Sequence, residues 1–213
     1  MRDHGKAYDP VKRLIDILVS VIGMTMTAPL QAALAVLVRM RLGSPVLFRH
    51  VRPGRDGTPF TLLKFRTMRD AGPGEEGPDH DAARLSKLGG LMRATSLDEL
   101  PTLWNVLRGD MSLVGPRPLL MSYVDRYTPE QAERLRVRPG ITGWAQVNGR
   151  NAISWEQKFD YDRWYVHHRS LWLDLRILGR TALKVLRREG IAAEGSATMP
   201  EFMGSADEER NAK

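Results

Sequence analysis

The longest apolar pattern in the chain runs from Leu14 to Val38, where Asp16 is the one charged residue and Gln31 the one other strongly polar residue. As a single helix these 25 residues would rise about 37 Å, enough for a bilayer core of about 30 Å. Pro29 interrupts the middle of the run. It removes one backbone donor and crowds the carbonyl of Thr25, so a bend or break is expected there. Both flanks are basic, with Lys6, Lys12 and Arg13 before the run and Arg39, Arg41, Arg49, Arg52 and Arg55 after it. The positive-inside rule puts both ends on the cytoplasmic face. A re-entrant helix–break–helix that dips into one leaflet and returns answers both features. A single span and a buried soluble helix are the alternatives. Thr25 and Thr27 stand where they can satisfy carbonyls freed at the break.

Beyond the apolar run the pattern shortens. Residues Val46–Val51 and Phe60–Phe65 read as two strands joined by the turn-rich PGRDGTP. Residues 70–83 are Gly, Pro and acid, which predicts a mobile loop. Pro101–Arg108 reads as a short helix, with proline at its start and Gly109 past its end. Thr128-Pro-Glu-Gln131 is a capping box opening a helix to about Arg136. Gly143–Asn151 suggests a short strand and an Asn148-Gly149 turn. Ser170–Arg188 is a long helical pattern setting Leu171, Leu175, Leu178, Leu183 and Leu186 against Arg176, Arg180, Lys184, Arg187 and Arg188. Such a helix either packs on a core or lies on a membrane surface. The fold class expected is α+β and mostly helical. Residues 1–42 form the membrane anchor, 43–204 a globular domain with a short β-hairpin and amphipathic helices, and 205–213 a disordered tail.

Charge narrows the partners. The 213-residue chain carries a formal charge of +7 with a pI near 10.0, which favours an anionic partner: nucleic acid, anionic lipid head groups or a phosphorylated small substrate. It contains no cysteine, excluding disulfides and thiolate metal sites. The first apolar run is too long for a cleavable signal, and no small-residue cleavage site follows it.

Against that basic background, residues 95–104 read TSLDELPTLW, with Asp98 and Glu99 side by side. Ser96-x-x-Glu99 has the form of a capping box, and acids before a helix suit its positive end. The surroundings suggest more. Arg84, Lys87, Arg93 and Arg108 flank the acids, and Gly115-Pro-Arg-Pro118 and Val147-Asn-Gly-Arg-Asn151 follow. An arginine between two prolines is held on a stiff backbone, which suits bidentate phosphate recognition. Adjacent carboxylates among such arginines point to a divalent metal and phosphoryl chemistry, or to one acid acting as a nucleophile. A nucleic-acid-binding protein would explain the charge but not Leu14–Val38, and no nucleic-acid-binding motif is present.

Six blocks, in order, resemble the bacterial monotopic phosphoglycosyl transferases, the polyprenyl-phosphate sugar-1-phosphate transferase family. They are Lys12–Asp16, Arg52-Pro-Gly54, Lys64-Phe-Arg-Thr-Met68, Thr95–Pro101, Asn105–Pro118 and Arg138–Asn151. The short tail, Glu194-Gly-Ser and Glu201-Phe-Met-Gly204, is similar to the small single-domain branch that includes the N,N′-diacetylbacillosamine-phosphate transferase. The resemblance implies an enzyme on the cytoplasmic face of the bacterial inner membrane, in contact with anionic lipids and binding no nucleic acid. It would transfer a sugar-1-phosphate from a UDP-sugar to polyprenyl (undecaprenyl) phosphate and release UMP. A diacetylbacillosamine or other N-acetylated hexosamine donor is the implied substrate class.

The same resemblance assigns roles within 43–204. Asp98 is the nucleophile, and Glu99, with Asp98, helps to hold Mg²⁺, with Mn²⁺ as the alternative ion. Lys64, Arg93, Arg117 and Arg150 match basic positions that meet phosphates. Asp162 joins the substrate-binding set, and Asp174 is expected to pair with an arginine. The family's proline-broken re-entrant helix matches Pro29. Here Ala28 precedes that proline where the family often has serine, so Thr25 or Thr27 must supply the missing hydrogen bond.

Overall fold

A computed structural model of the chain describes residues 5–75, 80–149, 153–187 and 201–204. Helix α1 spans Gly5–Leu42 with Pro10 and Pro29 inside it. An antiparallel hairpin follows, β1 (Leu47–Pro53) on β2 (Pro59–Phe65), with Leu47 opposite Phe65 and Pro53 opposite Pro59. A run of helices comes next: α2 (Asp81–Arg84), α3 (Lys87–Ala94) and α4 (Thr102–Arg108). Strand β3 (Ser112–Val114), helix α5 (Pro129–Ala132) and strand β4 (Gly140–Thr142) lead to α6 (Trp144–Asn148), α7 (Trp155–His168) and α8 (Leu171–Arg187).

The hairpin stands where alternation placed it, and α4 stops at Gly109, whose φ of 94° is the left-handed geometry of a C-terminal cap. Thr128 closes its capping box, but only one turn of α-helix follows before a tighter 3₁₀ turn over Glu133–Arg136. Three expectations need correcting. Ser96 caps nothing: it adopts the left-handed conformation, φ 57°, and its side chain makes no capping bond. The predicted strand over Gly143–Asn151 is helix α6; the strand lies just before it, where β4 pairs in parallel with β3. The parallel pair brings backbone against backbone, since a Cβ on Gly140 would lie 2.1 Å from Gly115 N. Pro29 does not break the helix, which continues through it as one element. Thr27 Oγ1 donates to the Gly23 carbonyl at 2.6 Å and accepts from Gln31 Nε2 at 2.9 Å, a side-chain bond of the kind that bends helices.

The main core joins Leu62 of β2, Val106 of α4, Leu113 and Val114 of β3, Tyr165 of α7 and Ile177 of α8. A second cluster of Leu34, Val38, Phe65 and Met92 ties the end of α1 to β2 and α3. A third is aromatic: Tyr123, Trp155, Phe159 and Phe202, the last fully buried.

Helix α1 turns the usual amphipathic arrangement around. Polar residues of its first half face the protein. Asp16 Oδ1 accepts from Ser112 Oγ at 3.1 Å and from Leu113 N at 3.0 Å. Arg13 donates to the carbonyls of Val106 and Leu107, capping the C-terminal end of α4. Lys12 reaches Asp174 at 2.6 Å, where Tyr8 and Tyr165 also donate; the arginine expected for Asp174 is thus a lysine and two phenols. The apolar side chains Leu14, Leu18, Ile22, Met26 and Leu30 are exposed. Among the described residues this is the one helix long and apolar enough to cross a membrane, and 11% of its most apolar stretch is buried.

Candidate active site

Strand β2 has one strand neighbour, so its outer edge offers unpaired backbone groups. Helix α4 satisfies them. Thr102 Oγ1 donates to the Leu63 carbonyl, and Asn105 accepts from Leu63 N and donates to the Thr61 carbonyl, all within 3.0 Å. This clamp brings Lys64 beside the turn that precedes α4. That turn begins at left-handed Ser96 and continues as a 3₁₀ turn over Leu97–Glu99. A non-glycine residue held in this conformation typically stores about 1–3 kcal/mol and is concentrated at functional sites.

The two acids have different surroundings. Glu99 Oε1 accepts from Lys64 Nζ at 2.6 Å and from Arg117 Nη2 at 2.9 Å. Burial opposes its ionisation, but the two cations outweigh that and hold it well below the usual carboxylate range. Asp98 is buried, and no hydrogen bond holds its carboxylate among the described residues. Burial and then the Glu99 charge push it up, against the pull of Lys64, Arg117 and Arg93. Burial pulls the Lys64 ammonium down, with Glu99 opposing.

Arg117 comes from the Pro-Arg-Pro segment after β3. Its carbonyl accepts from Arg134 Nη2 at 2.7 Å. Arg134 in turn donates to Asp162 Oδ2 through Nε at 3.0 Å and Nη2 at 2.7 Å, with both side chains only 2% exposed. Asp162 is held in a buried ion pair that steadies the Arg117 backbone, and it also lines the cavity that the other expected site residues line. Arg93 donates to Thr67 Oγ1 at 3.1 Å.

Asp98, Glu99, Lys64, Arg93 and Arg117 all line one cavity of about 730 Å³. Arg150 lies outside the described residues. The structure adds cations that the motif reading did not select: Arg52, Arg66, Arg84 and Lys158 line the same cavity. Arg52 Nε and Arg66 Nε and Nη2 are buried donors with no hydrogen-bond acceptor among the described residues. Burial and Arg117 pull the Arg52 guanidinium down to about 10. Burial lowers the Lys158 ammonium to about 8, and its Nζ lies 4.4 Å from the Trp155 ring centre. Arg52 and Arg66 stand inside two of the quoted blocks, so their signal was present in the sequence. Lys158 sits on α7, a helix the hydrophobic pattern had not revealed.

A smaller cavity, about 200 Å³, opens beside this one. The two share Ser96, Glu99, Arg117, Ile141 and Gln146. Gln146 Nε2 donates to the Ile141 carbonyl, while its Oε1 is buried without a partner among the described residues.

Comparison with known proteins accords with this geometry. The model of the bacterial sugar transferase family matches residues 7–188. An uncharacterized sugar transferase, EpsL, of Bacillus subtilis strain 168 is 52% identical over 197 residues, covering 92% of this chain and 98% of that protein. A UDP-glucose:undecaprenyl-phosphate glucose-1-phosphate transferase of Caulobacter vibrioides is 40% identical, with 84% of this chain and 71% of that one covered. The undecaprenyl-phosphate galactose phosphotransferase of Salmonella typhimurium is 39% identical over 84% of this chain, which spans 41% of that longer protein. The chain belongs to the bacterial sugar transferase family, as a polyprenyl-phosphate phosphoglycosyl transferase.

Proposed function

We propose that this protein transfers a sugar-1-phosphate from a UDP-sugar to undecaprenyl phosphate through a covalent phospho-sugar intermediate on Asp98. The observation that carries this reading is the asymmetry of the two acids. Glu99 is tied to Lys64 and Arg117. Asp98 lines the same cation-rich cavity with its carboxylate unbound by hydrogen bonds among the described residues. One acid is fixed and the other is available to attack. The activities named for the relatives support the donor and acceptor classes.

The steps balance. An Asp98 carboxylate oxygen attacks the phosphorus that bears the sugar. The bond from that phosphorus to the UMP oxygen breaks, and UMP leaves with the electron pair. A phosphate oxygen of the lipid then attacks the same phosphorus, and the bond to Asp98 breaks, returning the carboxylate. Arg117, Lys64 and the unpartnered Arg52 and Arg66 donors stand along the cavity to stabilise phosphate charge. A magnesium ion fits these residues. It commonly takes one or two protein carboxylates and completes its shell with substrate phosphates and water. Both protein contacts of Glu99 fall on Oε1, leaving Oε2 and Asp98 as the oxygens that would hold the ion. Among the described residues no cluster of three ligating side chains exists, so the diphosphate itself would complete the shell. When bound, the ion supplies charge neutralisation for the diphosphate.

The same reading takes α1 as a re-entrant anchor at the cytoplasmic face of the inner membrane. Lys12, Arg13 and Asp16 at one end of the helix and Leu34 and Val38 at the other all meet the same body. A transmembrane span would carry one of those ends away from it. Helix α8 complements this anchor with an exposed face of Trp172, Leu175 and Leu183 beside Arg176 and Arg187, the composition of an interfacial helix. Brominated lipids should quench tryptophan emission less in a Trp172→Phe variant than in the parent protein; equal quenching would remove α8 from the interface.

The reaction is tested with protein in lipid vesicles, Mg²⁺ and a panel of UDP-sugars, including glucose, galactose and N-acetylated hexosamine donors. UMP release that needs undecaprenyl phosphate for turnover is expected. Protein given the active UDP-sugar alone should gain a sugar-phosphate mass on the peptide bearing Asp98. Turnover with no such adduct, and with Asp98→Asn retaining a tenth of the activity, would replace the covalent route by direct transfer.

A further inference from the structure

The two joined cavities differ in chemistry. The larger holds the cations and Asp98. The smaller is walled by Ala94, Leu100, Leu103, Val147 and Val185, with Lys184 also in its lining. It meets the larger cavity at Glu99 and Arg117. Leu103 also faces the anchor, since a Cβ on Gly23 of α1 would lie 3.2 Å from Leu103 Cδ1. From there the exposed apolar side chains Ile22, Met26 and Leu30 continue along α1. Leu103 therefore stands between the apolar helix α1 and the cavity whose lining includes Arg117.

We propose that this smaller cavity seats the first isoprene of the acceptor lipid, so that its phosphate meets Arg117 while the nucleotide-sugar occupies the larger cavity. The inference rests on the transferase reading above and divides its site between the two substrates. Volume suits the assignment: a dry apolar cavity of about 150 Å³ holds a benzene ring, and this one, at about 200 Å³, has room for a five-carbon branched unit. Chemistry suits it as well. A sugar or uracil would leave its own polar groups unpaired against leucine and valine, at a typical cost of about 1–3 kcal/mol each, whereas an isoprene brings no polar group of its own and lies away from the polar side of the lining, Thr142, Gln146 and Thr181. Arg117 belongs to both linings, which puts one guanidinium between acceptor and donor phosphates. Each substrate then has its own approach, and the lipid need not displace UMP along the route by which UMP departs.

The test uses full-length protein in vesicles of phosphatidylethanolamine and phosphatidylglycerol, and a polyprenyl phosphate bearing a diazirine on its first isoprene. Photolabelling is expected in the peptides containing Ala94–Leu103 and Thr181–Val185, and unlabelled polyprenyl phosphate should compete it away. Labelling confined to the hairpin around Phe48, or to α1 alone, overturns the proposal. Kinetics give an independent arm. Val185→Trp and Ala94→Leu each fill the cavity and should raise KM for polyprenyl phosphate about tenfold or more, equivalent to about 1.4 kcal/mol. KM for the UDP-sugar should stay within about twofold, well under that energy, and this also reports that the variants fold. A rise in the UDP-sugar KM instead would hand the cavity to the donor. Unchanged constants for both substrates would show that it is empty during turnover. If the parent protein turns over no UDP-sugar, the transferase reading fails, and the labelling arm still decides whether the cavity holds the lipid.

Discussion

Lys64 Nζ lies 2.6 Å from Glu99 Oε1, and that contact governs the neighbouring Asp98. Burial and the Glu99 charge raise the Asp98 carboxyl, while Lys64, Arg117 and Arg93 lower it. The carboxylate is the attacking form. Rate should therefore fall as pH drops through the Asp98 value, and anything that removes a cation should move this acid limb to higher pH. Lys64→Met removes the largest of the three opposing charges, so its limb should shift upward, whereas Lys64→Arg should hold it near the parent position. The measurement is kcat/KM against pH; a limb that stays put in the Met variant would mean that another group titrates.

Arg117→Lys should be nearly as damaging as Arg117→Ala. Lysine keeps the charge but not the planar fork that can hold Glu99 and a phosphate together. A loss of about 100-fold in kcat/KM for both variants corresponds to about 2.7 kcal/mol of transition-state stabilisation. Near-normal kinetics in the lysine variant would reduce the Pro-Arg-Pro segment to a source of charge.

Removing one member of the buried Arg134–Asp162 pair strands the other. Asp162→Asn should cost about 3–5 kcal/mol, read as a lower melting temperature. The double variant Arg134→Met with Asp162→Leu should recover much of that loss in stability. It should not recover the KM for UDP-sugar, because the carbonyl of Arg117 loses its Arg134 donor in the double variant. Full kinetic recovery in the double variant would show that the pair supports the fold alone.

Topology is open to labelling, since the chain contains no native cysteine. Cysteines placed singly at positions 6 and 55 should both react from the cytoplasmic side only. Pro29→Leu removes a residue that costs about 3 kcal/mol inside a helix, and should let a fraction of molecules expose position 6 on the far side. Far-side labelling in the parent would establish a true span. Labelling identical in parent and variant would assign the topology to the flanking charges.

Legibility from sequence followed the range of the forces involved. The hairpin, α4 and the cap at Thr128 are set by neighbours within a few residues, and alternation, Pro101–Gly109 and the capping box reported them. Helix α7 was not read, because it mixes aromatic and charged residues and buries Trp155, Phe159, Asp162 and Tyr165 against three different parts of the chain. The parallel β3–β4 pair was missed for a similar reason: each strand is three residues long, and its partner lies far along the chain. In the site, Asp98, Glu99, Lys64, Arg93 and Arg117 were found by their motifs and do converge. Motif position alone did not show that Asp162, which lines the cavity, is also paired inside the fold: its partner Arg134 lies 28 residues away in sequence. Pro29 predicts a bend or break because its lost hydrogen bond is local; the helical backbone on either side carries the element through it, which removes the break alone.

The inward-facing polar stripe of α1 has a consequence for biogenesis. The helix is synthesised before the strand it completes, and until Ser112 and Leu113 arrive nothing in the chain engages Asp16 as they do in the finished fold. The body in turn lacks a cap for α4 until Arg13 is in place. Assembly of the globular part thus finishes on a helix already synthesised. A chain without α1 would lose the Asp16 acceptor beside β3 and the Arg13 cap of α4 together, so the globular part depends on its most apolar helix for polar bonds.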